Sequence, residues 1–413
     1  MSRRTETMSR EFKNSGIEWI GQIPKEWEVE LIGNNIKEIN DKNDDSSEDN
    51  ALQFKMGSII SKKGGDSKYN PESLAAYTKV KEGDIVINGL NLSFDLISQR
   101  VGLVREKGVI TSTYLTLRPS SLLHSEFVNY LFKAYDNCKA FHGMGRGLRQ
   151  ILAYRELKNQ KLIYPPLPEQ QKIADFLDKV CGEVDEMVTL LETMIEELKA
   201  YKQSVITEAV TKGLNPNVPM RNSGIDWIGN IPKHWQMKRL KFMCEIQTGN
   251  QDTQDAEQDG EYPFYVRSPK VEHSNKYSFE GEGILMAGDG AGAGRVFHHA
   301  FGKYAVHQRV YRLSSFDDID TTFLFHYIRN LFCKVMDMGS AQSTVPSVRL
   351  PMLQNFVVCI PSIEEQQYIA TYLDTKCSEI DALIALKQAK IEELKEYKKS
   401  VIYEYVTGKK EVV

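Results

Sequence analysis

Apolar residues recur at helical spacing over two long segments of the chain. In the first segment, residues 169–211, one row repeats every seven positions and comprises Leu177, Val184, Leu191, Leu198 and Val205. A second row beside it comprises Ile173, Val180, Met187, Met194 and Tyr201. Two interleaved rows of this period predict a coiled-coil helix, which at 1.5 Å per residue would be roughly 65 Å long. The proline-rich residues 164–168 place its start at Glu169.

The second helical segment spans residues 361–413 and has a less regular apolar stripe. Its apolar positions comprise Ile369, Leu373, Ile380, Leu383, Leu394, Tyr397 and Val401. The rows are interrupted by Lys376, Lys387 and Lys390. Because both stripes are long and have few other partners, we expect the two helices to pack against each other, antiparallel. The alternative, in which each helix packs only on its own domain, stays open.

The regions before the two helical segments show the shorter alternation of β-strands. Strand-like runs lie at 83–89, 101–104 and 113–117 in the first region and at 283–288 and 306–313 in the second. A helix follows in each region, over 124–139 and 321–336. Glycine and asparagine break both regions into short elements, which predicts two mixed α/β domains with long loops.

The chain is an internal repeat. Residues 14–27 read NSGIEWIGQIPKEW and residues 222–235 read NSGIDWIGNIPKHW, identical at 11 of 14 positions; we call this the tryptophan motif. A second pair, the EQQ motif, shares the pattern EQQxIAxxLD at residues 169–178 and 365–374. The mixed domains between the motifs share little sequence. Equivalent frames around different domains suit a target with two unlike half-sites.

The predicted fold class is therefore α+β, with two mixed α/β domains separated by two long coiled-coil helices in a pseudo-two-fold internal repeat. Residues 1–164 hold the first tryptophan motif and mixed domain, and residues 165–213 form the first spacer helix. Residues 214–360 hold the second motif and domain, and residues 361–413 form the second spacer helix.

The net charge of −4 hides an uneven distribution of charge. Residues 100–161 carry 11 Lys and Arg against 4 Asp and Glu, whereas residues 169–208 carry 4 against 10. A basic region suits a polyanion such as DNA. Six cysteines with no CxxC pair predict reduced thiols. Without a run of 18 apolar residues or a signal peptide, we expect a cytoplasmic protein.

The candidate DNA contacts are polar and basic residues in loops beside the predicted strands. Arginine reads guanine bidentately, asparagine and glutamine read adenine, and small hydroxyls suit phosphates. In the first domain they are Asn88, Asn91, Gln99, Arg100, Arg146, Arg149 and Gln150. In the second they are Asp289, Arg295, His307, Gln308, Arg309, Gln342, Ser343 and Thr344. For any one of them, a solvated surface side chain is the plainer alternative.

Motifs for catalysis are not found in the sequence. It contains no P-loop, no HExxH zinc motif and no NPPY tetrapeptide of the methyltransferase type. The glycine-rich residues 288–295 resemble a nucleotide loop only superficially, because the Lys-Ser/Thr pair is missing. We therefore expect no catalytic residue, no metal site and no cofactor in this chain.

The tryptophan and EQQ motifs, each present twice, strongly resemble those of the specificity subunits of type I restriction–modification systems. The resemblance covers nearly the whole chain. It implies that each mixed domain is a target recognition domain, which reads one half of a bipartite, gapped sequence in double-stranded DNA. It also implies that the long helices dock methylation subunits and, through them, restriction subunits.

The resemblance assigns spacing and docking to the long helices, where our candidate positions are Ile173, Leu177, Val184, Leu191, Leu198, Ile369, Leu373, Ile380, Leu394 and Val401. The partner subunits are expected to use S-adenosylmethionine, ATP and Mg. This chain would then be a non-catalytic subunit. A coiled-coil scaffold that does not bind DNA is the alternative.

Overall fold

The computed structural model describes residues 10–55, 57–62, 74–92, 95–144, 151–339 and 346–412. The chain divides into two compact units, of which the first comprises residues 1–191 and 389–413 and the second residues 192–388. Each unit therefore contains one tryptophan motif, one mixed domain and one end of each long helix.

The first unit is built around a four-stranded antiparallel sheet. Its strands, in spatial order, are Ile36–Glu38, Leu115–Pro119, Ile85–Ile87 and Val101–Leu103. Antiparallel pairs join Phe12–Asn14 to Gln22–Pro24, Glu28–Leu31 to Lys161–Tyr164, Leu52–Lys55 to Ser58–Ser61, and Thr78–Val80 to Gly108–Ile110. The short helices are Ile32–Asn35 and Tyr154–Leu157. Helix Ser125–Asn137 buries Phe127, Leu131 and Phe132 in the same core as the sheet.

The second unit repeats this plan. Its antiparallel sheet has the order Glu245–Thr248, Val310–Ser314, Gly283–Ala287 and Phe297–Ala300. A second sheet has the order Glu272–Ser274, Tyr262–Tyr265, Lys303–Val306 and Phe279–Glu280. Antiparallel pairs join Met220–Asn222 to Asn230–Pro232 and Gln236–Arg239 to Val357–Ile360. The helices are Thr321–Gly339 and Leu350–Gln354, with single 3-10 turns at Leu240–Phe242, Thr253–Asp255 and Gly290–Gly292.

The two antiparallel sheets share one strand order although their sequences have diverged, and the predicted α+β class is confirmed. One strand prediction is wrong. Residues 306–313 are not a single strand, because residues 307–309 turn between two strands of different sheets. Lys303–Val306 pairs in parallel with Tyr262–Tyr265, whereas Val310–Ser314 belongs to the antiparallel sheet.

The first long helix is Leu167–Lys212 and the second is Ile363–Val406. The first helix begins two residues before the predicted start at Glu169 and includes Pro168. A proline is tolerated there because the amides of the first helical turn have no hydrogen-bond acceptor within the helix.

The second predicted apolar row on the first helix faces the core only at its start, where Ile173 is 2% exposed and Val180 packs against the core. Leu177 and Val184 of the first row are buried, and Leu191 and Leu198 are half-buried. In the second row, however, Met187, Met194 and Tyr201 are exposed at 47%, 37% and 57%. The residues that alternate with the first row are instead Cys181, Val188, Ile195 and Ala209, all buried except the half-buried Val188. The buried row at 181, 188 and 195 lies one position from the predicted row at 180, 187 and 194, and both rows are apolar in the sequence.

The second helix has the same alternation of four and three residues, so its stripe is regular. Its buried positions are Ile369, Leu373, Cys377, Ile380, Ile391, Leu394 and Val401. Of the three lysines expected to interrupt the stripe, Lys387 lies on it and is half-buried, and Lys390 is exposed. Cysteine at the equivalent positions 181 and 377 is a packing residue, as a small apolar side chain would be.

Within each unit the ends of the two long helices run antiparallel. In the first unit Phe176 packs on Tyr405, with ring centroids 4.4 Å apart, and Asp185 pairs with Lys398 at 2.6 Å. Between these two contacts the residue number rises on the first helix, from 176 to 185, and falls on the second helix, from 405 to 398. The second unit has the equivalent ion pair, Lys202 with Asp381 at 2.6 Å. Both aspartates are more than half exposed, so each pair contributes roughly 1 kcal/mol or less and mainly defines the register.

The repeated motifs meet at the start of each long helix. The Trp27 indole Nε1 donates to Glu169 Oε1 at 3.3 Å, and Trp235 Nε1 donates to Glu365 Oε1 at 3.2 Å. Both indoles are buried, so the EQQ glutamate satisfies the one polar atom of each ring.

The first glutamine of the EQQ motif joins the mixed domain to the long helix. Gln170 is fully buried, accepts from the His124 backbone N–H at 2.8 Å and donates to the carbonyls of Leu122 and Pro165. In the second unit Gln366 accepts from the Asp320 N–H at 2.7 Å in the same way. Each mixed domain is thereby attached through the helix that follows its sheet.

Candidate nucleic-acid interface

The loop after strand Ile85–Ile87 holds four of the predicted DNA contacts, and Arg100 organises it. Arg100 is 2% exposed. Its guanidinium donates to the backbone carbonyls of Asn88 at 3.0 Å, Leu90 at 2.8 Å, Asn91 at 3.4 Å and Asp95 at 2.7 Å. A buried guanidinium that is used in this way is not free to contact DNA, so the structure gives Arg100 a positioning role instead of the predicted contact.

The other three candidates of this loop differ in exposure. The Asn88 side chain accepts from the Leu90 N–H at 3.2 Å, and Gln99 Nε2 donates to Asp136 at 2.6 Å. Both are half-buried. Burial raises the pKa of Asp136. Asn91 is exposed, at a φ of 53°, a conformation that asparagine tolerates better than most residues. Of the three, Asn91 has the most open side chain.

In the second domain, three parts of the chain meet at Asp289. Its carboxylate pairs with Arg267 at 2.8 Å and with Arg309 at 2.5 Å. Although burial acts to raise the pKa of Asp289, the hydrogen bonds from the two arginines outweigh it and hold that pKa below its ordinary value. One carboxylate thus orients two guanidinium groups, which remain 41% and 61% exposed. We call Arg267 and Arg309 the arginine pair.

The remaining candidates of the second domain divide into buried and exposed groups. His307 is buried, its Nδ1 accepts from the Arg309 N–H at 3.0 Å, and burial lowers its pKa. His307 therefore shapes the turn. The structure gives it this role instead of the predicted DNA contact. Gln308 is exposed and donates to Asp252 at 2.8 Å. Arg295 is exposed and pairs with Asp337 at 3.1 Å.

Six of the predicted contacts belong to two clusters that occupy matching places in the sequence ahead of the long helices. Arg146, Arg149 and Gln150 in the first domain and Gln342, Ser343 and Thr344 in the second lie outside the described residues. They stay predictions.

The junction between each mixed domain and its long helix contains a repeated hydrogen bond. Tyr130 Oη donates to Asp178 Oδ1 at 2.7 Å in the first unit, and His326 Nε2 lies 2.8 Å from Asp374 Oδ1 in the second. Burial lowers the pKa of His326, and the bond to Asp374 offsets only part of that shift. A histidine therefore stands at this junction in the second unit, where the first unit has a tyrosine.

Exposed apolar side chains form an equivalent patch on the long helices of each unit. The first patch comprises Met187, Leu190 and Tyr397, exposed at 47%, 59% and 52%. The second comprises Leu383, Leu386 and Tyr201, exposed at 47%, 67% and 57%. The two sets occupy the same positions of the repeat. They lie outside the buried stripes and so are left without a partner in the isolated chain.

The described part of the chain has neither a metal-binding cluster nor a membrane-spanning helix. No group of three or more His, Cys, Asp or Glu side chains there could hold a metal ion. No described helix combines the length and apolar content that a bilayer crossing requires.

Comparison with known proteins identifies the two mixed domains. The family model described as the type I restriction modification DNA specificity domain matches residues 100–200 and 232–396. The chain belongs to this family. The two matched segments each hold parts of one specificity domain and of the long helix that follows it.

Several of the proteins similar to this chain are specificity subunits of type I restriction enzymes. The specificity subunit of the type I restriction enzyme MjaVIII from Methanocaldococcus jannaschii is 23% identical over 94% of both chains. The EcoDI specificity subunit of Escherichia coli is 29% identical over 42% of this chain and 38% of its own length. A chain of a solved type I R-M system has the same fold, with a TM-score of 0.72 at 15% identity over 93% of this chain and 98% of that one.

Sequence reasoning missed Arg267 in the second specificity domain. The residue follows strand Tyr262–Tyr265, and its place beside Asp289 depends on the parallel pairing of that strand with Lys303–Val306. A contact between segments so distant in the chain leaves no periodic signal. An arginine two residues after an aromatic strand was the only local sign.

Proposed function

We propose that this chain is the specificity subunit of a type I restriction–modification complex. Each specificity domain reads one half of a bipartite, gapped DNA target, and the long helices dock the methylation subunits. The observation that carries the proposal is the pair of units with one architecture and different loops. The repeated frame provides two attachment sites, while unlike loops read unlike half-sites.

In the second domain we propose the arginine pair, with Gln308 and Arg295, as the DNA-contacting surface. Arginine is the side chain best suited to guanine edges and phosphates, and Asp289 holds both guanidinium groups in place before DNA arrives. In the first domain Asn91 is the most open candidate, on the loop that Arg100 fixes.

Selection from a pool of random DNA duplexes tests this proposal, with the chain bound to its methylation subunits. We expect one motif of two short blocks separated by an unspecified gap, bound with a salt-dependent affinity. Arg309→Ala should weaken binding between about fivefold and a hundredfold and should relax base preference in one block only. Arg239→Ala, an exposed arginine on strand Gln236–Arg239, is the matched control and should bind as wild type does.

The two apolar patches are the proposed docking sites for two methylation subunits. Interfaces draw most of their affinity from a few large apolar and aromatic side chains, and each patch offers two aliphatic side chains and one tyrosine. Leu190→Glu should remove one methylation subunit and Leu386→Glu the other, as native mass spectrometry would report. Leu122→Glu, at a similarly exposed leucine that precedes helix Ser125–Asn137 and is not part of either long helix, should leave both bound.

We propose that the chain contributes no catalytic group, and that its partners supply methylation and cleavage with S-adenosylmethionine, ATP and Mg. Purified alone it should neither methylate nor cut DNA. If no motif is selected and the affinity does not depend on salt, the alternative of a coiled-coil scaffold without DNA binding replaces the proposal.

A further inference from the structure

The second unit contains a cavity that the first unit fills. The cavity measures about 550 Å³ and is lined by Tyr201, Val205, Ala209, Leu214, Met220 and Tyr372. It lies between the end of the first long helix and the start of the second. Its size falls in the range of roughly 300–1,000 Å³ that is typical of ligand pockets.

The internal repeat shows which kind of side chain fits the cavity. Ala209 forms part of the cavity wall, and its equivalent in the first unit is Tyr405, 196 positions later. The Tyr405 ring packs on Phe176, the equivalent of Tyr372, with a centroid distance of 4.4 Å. One aromatic ring therefore occupies in the first unit the space that the alanine leaves open in the second.

The cavity is continuous with the second apolar patch. Tyr201 belongs to both and is 57% exposed, and Met220 at the rim is 37% exposed. Polar and charged side chains also line it, namely Ser204, Glu208, Lys212 and Asn215. An aromatic side chain inside a pocket with a polar rim is the usual form of an interface anchor.

We propose that this cavity receives an aromatic side chain of a methylation subunit. The inference rests on the proposed function and adds that the two docking sites are unequal. In the second unit a partner ring can stack on Tyr372, whereas in the first unit Tyr405 already holds that position. The second site therefore binds its methylation subunit more tightly than the first.

The substitution Ala209→Tyr tests the proposal by giving the second unit the residue that the first unit has. Titration of the full chain with purified methylation subunit should show two sites of unequal affinity for wild type. In Ala209→Tyr the tighter site should weaken at least about thirtyfold, as loss of an aromatic anchor does. Ala200→Tyr, the same change at an exposed alanine of the same helix, is the matched control and should keep both sites.

A second variant distinguishes a filled cavity from misfolding of Ala209→Tyr. Met220→Glu places a charge at the cavity rim without changing its buried wall, and it should weaken the same site. A photo-crosslinker at Tyr201 should join the chain to a methylation-subunit peptide that contains an aromatic residue. Wild-type affinity in both Ala209→Tyr and Met220→Glu would overturn the proposal, as would a crosslink to a second copy of this chain. If wild type binds no methylation subunit at all, the proposed function fails instead.

Discussion

Replacing Arg100 with lysine separates a positioning role from a DNA contact. Three of its hydrogen bonds, to the carbonyls of Asn88, Leu90 and Asp95, are 2.7–3.0 Å long. Bonds from a charged donor contribute roughly 1.5–3 kcal/mol each, and lysine lacks the planar fork that serves several carbonyls at once. Loss of two of the three should cost about 3 kcal/mol or more.

Thermal unfolding measures this cost. For a unit of roughly 150–250 residues, 3 kcal/mol lowers Tm by about 6–12 °C. Arg105→Lys, at a 57% exposed arginine of the same domain, should leave Tm nearly unchanged. Because the loop would lose its fixed shape, Arg100→Lys should also weaken DNA binding. An unchanged Tm with lost preference at a single base pair would refute the reasoning and make Arg100 a direct reader of DNA.

Three further predictions concern the frame that carries the domains. Burial holds the pKa of His326 below its ordinary value of 6.5, so the unfolded chain binds more protons as pH falls through 6.5 and stability should decline there. In unfolding curves measured from pH 7.5 to 5, His326→Tyr should make the decline shallower without removing it, because burial also lowers the pKa of His298 and His307. Leu177→Ala should cost about 2–5 kcal/mol in urea unfolding and Leu191→Ala clearly less, because Leu177 is fully buried and Leu191 is half-buried; equal losses would contradict the assigned stripe. Gly408→Ala should lower Tm more than Gly213→Ala. Both have positive φ, but a Cβ at Gly408 would lie 2.3 Å from a proline ring of the tryptophan motif, whereas at Gly213 the nearest atom is a Glu365 carboxylate oxygen at 3.1 Å.

Much of the architecture could be predicted because its signals are local or repeated. The seven-residue period predicts both long helices, and the duplicated motifs predict two equivalent frames. The role of the EQQ motif was not predictable in the same way. Only the structure shows Glu169 accepting from a buried indole and Gln170 attaching the helix that follows the sheet.

The candidate DNA residues were harder to assign for a physical reason. Arg100 and Arg309 have the same chemistry and similar loop sequences around them, yet one is 2% exposed and the other has a side chain that is 61% exposed. Which arginine is buried depends on the carbonyls and carboxylates that the fold brings near it. That environment is assembled from distant segments, and composition does not report it.

The sequence by itself determined the repeat, the helical period, the α+β class and the family, because each is expressed in the order of residues along the chain. The tertiary structure alone decided which of two adjacent apolar rows is buried, which arginines remain open, and that an alanine leaves empty the space a tyrosine fills in the other unit. These depend on what faces each side chain across the fold. Neighbours in space are set by the packing of whole elements, whereas periodicity records only which side chains could face a partner.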